Sequence, residues 1–268
     1  MTHADTAKPH PATADPSGPG TLLRWLELRA PLEAAATLAL LPLWPLAPRG
    51  DGHAVLVLPG LSAGDASTAL MRQFLQARGW ASHGWQQGLN LGFRAGVMDR
   101  LRAQLHQLAH DGGRKVSLVG WSLGGVMARE LAKEMPDDVR CVITLGSPFT
   151  GHPRQTNAWR LYEWISGHRI DAHDLHRPLR ETPPVPTTSI YSRSDGVVSW
   201  HCSVERRRTL AENIEVEASH LGLALNPLAL WAVADRLAQP EGAWAPFRRD
   251  GWRGRLFGEP AADHPHPQ

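Results

Sequence analysis

Short apolar runs separated by amphipathic stretches organise the middle of the chain. Residues 54–58, 116–119 and 139–145 are each brief and largely apolar, the pattern of strands covered on both faces of a parallel sheet, and 185–191 reads as a further strand. Between them, 66–78, 94–110, the stretch behind Ser122 carrying Val126, Ala128, Leu131 and Ala132, and 227–237 repeat apolar residues at helical intervals. Residues 80–85 read as a further short strand. Residues 213–218 alternate Ile214, Val216 and Ala218 with polar positions, which predicts a strand nearer the sheet edge. Strands alternating with helices need crossover connections, so the pattern predicts an α/β fold: a mostly parallel central sheet with helices on both faces.

The ends and one internal stretch break this pattern. Residues 1–20 carry almost no large apolar side chain and are expected to form a disordered tail. Residues 21–50 are read as an N-terminal helical segment, split near Pro31 and ending in a proline-rich run. It is expected to cover one face of the core; lying on a membrane surface with Trp25 and Trp44 as anchors is the alternative. Spanning is not supported, because Glu33 and the prolines at 42, 45 and 48 interrupt the apolar stretch. Residues 51–240 are read as a single domain, with a small cap insertion at about 150–185 that carries Trp159 and Trp164. Residues 241–268 are expected to be an irregular C-terminal tail.

Chemistry enters at Gly120-Trp-Ser-Leu-Gly124, where a predicted strand turns into a predicted helix. Glycines around a serine on such a corner are what a strand–turn–helix nucleophile elbow needs, which makes Ser122 a candidate nucleophile. A serine hydroxyl needs a base within reach, and the base needs a group to fix its tautomer. Asp195 and His220 each follow a predicted strand and give the chain order Ser, Asp, His. Asp171 and Asp174 are rival acids within the cap, and His201 is a rival base. Negative charge growing on a substrate carbonyl needs donors already in place, and the backbone N–H groups of Leu61 and Leu123 are candidates for that oxyanion hole. Trp121, Trp159, Trp164 and Trp200 are candidates to line an acyl pocket, with core packing as the alternative for each.

Composition narrows the field. The chain has 268 residues and a formal net charge of +2, with acids and bases interspersed, so no basic tail or stripe points to nucleic acid. Despite 14 histidines there is no H-E-x-x-H and no Cys/His ligand pairing, so no metal and no cofactor is expected. No G-x-G-x-x-G or Gly-Lys-Ser/Thr loop points to a nucleotide. Cys141 and Cys202 lie in different settings; a disulfide framework is not indicated, and a single bridge stays open. With no signal peptide evident, a cytoplasmic location is expected, and the oligomeric state is open.

With these motifs in place the chain resembles the small bacterial lipases and esterases of the α/β-hydrolase fold. The resemblance rests on Gly-Trp-Ser-Leu-Gly at 120–124, Pro-Gly-Leu at 59–61, Ser-Asp-Gly-Val-Val at 194–198, Ser-His-Leu-Gly at 219–222 and Gly-Ser-Pro-Phe-Thr-Gly at 146–151, within residues 53–238. It implies Ser122, Asp195 and His220 as the triad and Leu61 as the second oxyanion donor. Pro59 departs from the histidine those enzymes usually carry there. The expected function is hydrolysis of carboxylic esters of apolar acyl chains through an acyl-enzyme on Ser122, with a small-molecule or lipid ester as substrate. An acyltransferase or thioesterase would use the same residues. A non-catalytic module that binds a lipid or a partner is the reading from another class.

Overall fold

The computed structural model describes residues 18–150, 179–206 and 208–261. Six strands, β1 (Ala54–Leu58), β2 (Ala81–Gly84), β3 (Val116–Trp121), β4 (Val139–Leu145), β5 (Thr187–Tyr191) and β6 (Ala211–Glu215), form one sheet in the order β2-β1-β3-β4-β5-β6. Every pairing is parallel. Helices α1 (Thr21–Leu26), α2 (Ala30–Ala39), α3 (Ala69–Ala77), α4 (Val97–Gly112), α5 (Leu123–Glu134) and α6 (Pro227–Leu237) surround it.

Strand periodicity explains the layering. Successive side chains of β1 point to opposite faces, so Val55 and Val57 join one core while Leu56 and Leu58 join the other. The first core holds Met71, Phe74 and Leu75 of α3 and Leu230, Val233 and Leu237 of α6. The second holds Leu101 and Leu105 of α4 and Val126, Met127 and Leu131 of α5. Both faces of the sheet are therefore dry. This is why the strands read as continuous apolar runs rather than alternating ones.

Two strand boundaries differ from the sequence pattern for identifiable reasons. The strand at 185–191 begins only at Thr187: the Pro186 carbonyl accepts from Val142 N–H at 2.8 Å, but Pro186 has no N–H of its own to give to the ladder. The edge strand spans Ala211–Glu215 rather than 213–218, since its partner β5 ends at Tyr191, opposite Glu215. The alternation of buried Val216 and Ala218 continues past the last paired residue. His220 therefore stands on a longer loop than the pattern suggests.

The N-terminal segment shows a larger difference. Pro31 sits in the first turn of α2, where its missing N–H has no helical partner to lose, and a short 3₁₀ turn, Glu27–Arg29, separates α2 from α1. Its polar side chains turn inward: Thr37 is buried and donates to the carbonyl of Leu225, while Glu27 and Glu33 reach the loops beyond β5 and β6. The large apolar side chains turn outward, with Leu22 73%, Trp25 66%, Leu32 71% and Leu46 78% exposed. Leu23, Leu26 and Trp44 are half-buried, and Trp44 packs edge-on to Phe74 at 5.0 Å. The segment thus meets the loops beyond β5 and β6 with its polar side, the reverse of the usual amphipathic arrangement.

Among the described residues no helix is long and apolar enough to cross a membrane. Cys141 and Cys202 are not joined in a disulfide. Most of the expected cap, including Trp159, Trp164, Asp171 and Asp174, and most of the expected N-terminal tail lie outside the described residues.

Candidate active site

Strand β3 ends at Trp121 and α5 begins at Leu123, which leaves Ser122 alone on the corner with φ 53° and ψ −123°. A positive φ on a residue with a Cβ costs about 1–3 kcal/mol and persists only where surrounding packing imposes it. The packing here is backbone on backbone. A Cβ on Gly124 would lie 2.6 Å from the Pro59 carbonyl oxygen, so only glycine lets the first turn of α5 press against the end of β1. The corner holds the Ser122 hydroxyl at the carboxyl edge of the sheet, partly exposed, with the α5 amino terminus behind it.

Two loops from the same edge meet this serine. Asp195 follows β5; its Oδ1 accepts hydrogen bonds from the N–H groups of Val197 (2.8 Å) and Val198 (2.7 Å), which fixes the carboxylate plane. Its Oδ2 accepts from His220 Nδ1 at 2.7 Å, and His220 Nε2 lies 3.0 Å from Ser122 Oγ. With Nδ1–H committed to the carboxylate, Nε2 carries the lone pair that faces the hydroxyl. Both Asp195 and His220 are buried. Burial alone would lower the imidazole, but the charge and hydrogen bond of Asp195, joined by the charge of Glu27, hold His220 above its ordinary value. The arrangement can take a proton from the hydroxyl and hold the resulting imidazolium.

A family model described as the alpha/beta hydrolase fold matches residues 78–179. Solved structures agree at low identity. Lipase B of Aspergillus fumigatus is 18% identical, with 72% of this chain and 54% of that one covered and a TM-score of 0.59. A metagenome-derived lipolytic enzyme is 14% identical, with 71% and 95% covered and a TM-score of 0.56. The monoacylglycerol lipase of Paleococcus ferrophilus is 14% identical, with 72% and 96% covered and a TM-score of 0.54. This chain has the α/β-hydrolase fold. It spans about half, 54%, of the length of the fungal lipase. No curated protein matches it by sequence.

In this fold the loop after β1 carries Leu61. Among the described residues neither the Leu61 N–H nor the Leu123 N–H has a hydrogen-bond partner, and the latter belongs to the first turn of α5, where helical N–H groups have none. Asn90 braces the Leu61 loop. Its Nδ2 donates to the Pro59 carbonyl at 2.8 Å, its carbonyl accepts from Ser62 N–H at 2.7 Å, and its own N–H donates to the Ala63 carbonyl at 2.8 Å. Asn90 is fully buried and takes up the support that Pro59, without a donor, cannot give. Only its place between Gly88 and Gly92 marks it in the sequence, a loop signal without a partner.

The remaining candidates separate. Trp121 is buried; its Nε1 donates to the His220 carbonyl at 2.9 Å, which ties the elbow to the histidine loop. Trp200 stacks between Tyr191 and His201, with the Arg193 guanidinium 4.5 Å from its ring centre. Both side chains are thus engaged in packing. His201 stacks on Trp200 and faces Ser199 Oγ at 3.2 Å, away from the Asp195–His220 pair in its bonding. Among the described residues no group of three or more His, Cys, Asp or Glu is placed to hold a metal ion.

Proposed function

We propose that this α/β-hydrolase is a serine hydrolase that cleaves carboxylic esters of apolar acyl chains. The observation that carries the reading is the unbroken relay from Asp195 through His220 to a serine strained at a helix amino terminus, beside two unpartnered N–H groups. Ser122 Oγ attacks the ester carbonyl while His220 Nε2 takes its proton. The oxyanion of the tetrahedral adduct meets the N–H groups of Leu61 and Leu123. The adduct collapses as the imidazolium returns the proton to the leaving alkoxide, which departs as the alcohol and leaves an acyl-enzyme. His220 then activates water, which attacks the acyl carbon; the acid leaves and the proton returns to Ser122.

The lipolytic enzymes of similar fold support an ester substrate, and the outward leucines of the N-terminal segment support contact with a lipid surface through 21–47. Such a surface would bring apolar esters to the same edge of the sheet. Fluorophosphonate labelling tests the nucleophile: wild type is expected to be labelled and Ser122→Ala spared, whereas an unlabelled wild type would favour a non-catalytic binding module. A panel of nitrophenyl esters of increasing chain length, with an acyl-CoA and an amide, then separates esterase, lipase and thioesterase. Transfer of the acyl group to an added alcohol in preference to water would point to an acyltransferase.

A further inference from the structure

The loop that carries His220 is held from outside the hydrolase core. Three consecutive backbone N–H groups, those of Ser219, His220 and Leu221, all donate to carboxylates of the N-terminal segment. Glu33 Oε1 accepts from Ser219 at 2.8 Å, Glu27 Oε1 from His220 at 2.8 Å, and Glu27 Oε2 from Leu221 at 2.9 Å. Glu27 Oε1 also accepts from the N–H of Gly196 at 2.8 Å, the residue after Asp195. One carboxylate therefore bridges the acid loop and the base loop of the relay. The fit is close: a Cβ on Gly196 would run into the Leu23 backbone, and one on Gly222 into the Glu33 carboxylate.

We propose that Glu27 is a positioning residue for the Ser122–His220–Asp195 relay, so that the N-terminal segment forms part of the active site. The inference rests on the reading of Ser122 as the nucleophile. Glu27 acts in two ways. It fixes the separation of the two loops, and with it the 2.7 Å bond between Asp195 and His220. It also adds a negative charge near the ring that must become imidazolium, and this charge is one of the causes that raise His220. The other ionisable groups on this side are Asp195 beside the ring, Cys202 behind Asp195, and Glu33, Arg29 and Glu217, which pair with one another. Arg29 binds Glu33 and Glu217 and donates to Ser194 Oγ, so its charge is already matched on that network. Glu27 makes no such ion pair among the described residues.

The test is the pH profile of nitrophenyl ester hydrolysis by wild type, Glu27→Gln, Glu27→Asp and Asp111→Asn. Glu27→Gln keeps the size but loses the charge and offers an N–H₂ where an acceptor is needed. Its kcat is expected to fall roughly 10- to 100-fold with KM held, as for loss of alignment at a distance, and its acidic limb to move to lower pH. Glu27→Asp keeps the charge with a shorter reach and is expected to restore the limb but only part of kcat. Asp111→Asn, an exposed charge at the carboxyl end of α4, is expected to match wild type in kcat and limb. A Glu27→Gln enzyme with wild-type kcat and limb overturns the proposal. So does one that loses kcat with an unmoved limb, which would mark a brace and nothing more. Should Glu27→Gln fail to fold, Glu27→Asp decides: reduced kcat with the wild-type limb supports the proposal, and wild-type kcat overturns it. Labelling of wild type but not of Ser122→Ala keeps the nucleophile reading standing whichever way Glu27 falls; an unlabelled wild type overturns both.

Discussion

At the amino end of the sheet, His53 Nε2 lies 2.8 Å from Ser117 Oγ and Nδ1 hydrogen-bonds with Asp51; at the carboxyl end, His220 Nε2 lies 3.0 Å from Ser122 Oγ and Nδ1 donates to Asp195. The two arrays match residue for residue, yet their surroundings differ. Ser117 is fully buried within β3, with no turn to present it and no helix amino terminus behind it, and Cys141 Sγ donates to its hydroxyl at 3.3 Å. Asp51 also binds Arg114 and Arg140, and Arg140 Nη1 stands 3.0 Å from the His53 ring nitrogen that faces Asp51. Burial works against the Asp51 carboxylate, but hydrogen bonds from His53 and Arg140 more than offset it and hold it far below the usual range. Burial lowers His53, the Asp51 hydrogen bond works against this, and the Arg140 charge adds to the lowering. Among the described residues no arginine pairs with Asp195, and His220, with the charges of Asp195 and Glu27 beside it, is raised. The trio alone does not mark a nucleophile; on the proposed reading, exposure and the strained corner are what set Ser122 apart from Ser117.

Removing the two serines should separate the arrays most widely. Ser122→Ala is expected to cut ester turnover by about 10⁶-fold, the scale seen when the nucleophile of a triad is lost. Ser117→Ala is expected to leave kcat alone and to lower stability by about 1 kcal/mol, the worth of one hydrogen bond, read by denaturant unfolding. Next come the acids. Asp195→Asn should reduce kcat by about 10⁴-fold through the wrong histidine tautomer. Asp51→Asn should spare kcat and cost about 1–3 kcal/mol in stability, because His53 and Arg140 are buried and lose an acceptor.

Acidification sharpens the contrast with opposite signs. His220 must be neutral to accept the serine proton, so kcat/KM should fall as pH drops through its raised value, with the limb above the ordinary histidine value of 6.5. Its raised value adds stability that is fully present below the unfolded value and is lost as pH rises through the folded one. His53 runs the other way. Its folded value is depressed, so its contribution is present above the ordinary 6.5 and is lost as pH falls through the folded value. Melting temperature followed between pH 8 and 5, on the order of the histidine range, should therefore show an acid loss that His53→Gln flattens. An unchanged slope in that variant would remove His53 as its source.

Sequence patterns reach the two arrays unequally. Ser122, Asp195 and His220 are legible because each follows a strand with a glycine within two residues, and the loops at one edge of a parallel sheet converge. Ser117, His53 and Asp51 carry no such mark: the serine interrupts an apolar strand, and the aspartate precedes Gly52 as an ordinary turn residue would. The sheet and its flanking helices were legible from period alone, since apolar side chains there can be buried only inward. The N-terminal segment was not. Its leucines repeat at helical intervals and suggest an inward apolar face, but the bare N–H groups of 219–221 and 196 need acceptors, and Glu27 and Glu33 turn in to supply them. Periodicity says which side chains share a face and is silent on what that face meets. Asn90 escaped for the same reason, its partners lying across the Leu61 loop.

The smallest expected effect concerns the link between elbow and base. Trp121 occupies the last position of β3, and its Nε1 bond to the His220 carbonyl is a contact that the inner array has no counterpart for. Trp121→Phe keeps a ring against the imidazole, 5.8 Å away between centres, and deletes only that donor. A single neutral hydrogen bond is worth about 0.5–1.5 kcal/mol, so kcat should fall by less than about tenfold while KM and the acidic limb hold. Glu27 and Asp195 already fix the histidine loop from two other sides, which is why the loss should be small. If Trp121→Phe instead matched Asp195→Asn, the elbow itself would be setting the position of His220, and the strand-end loops would be secondary.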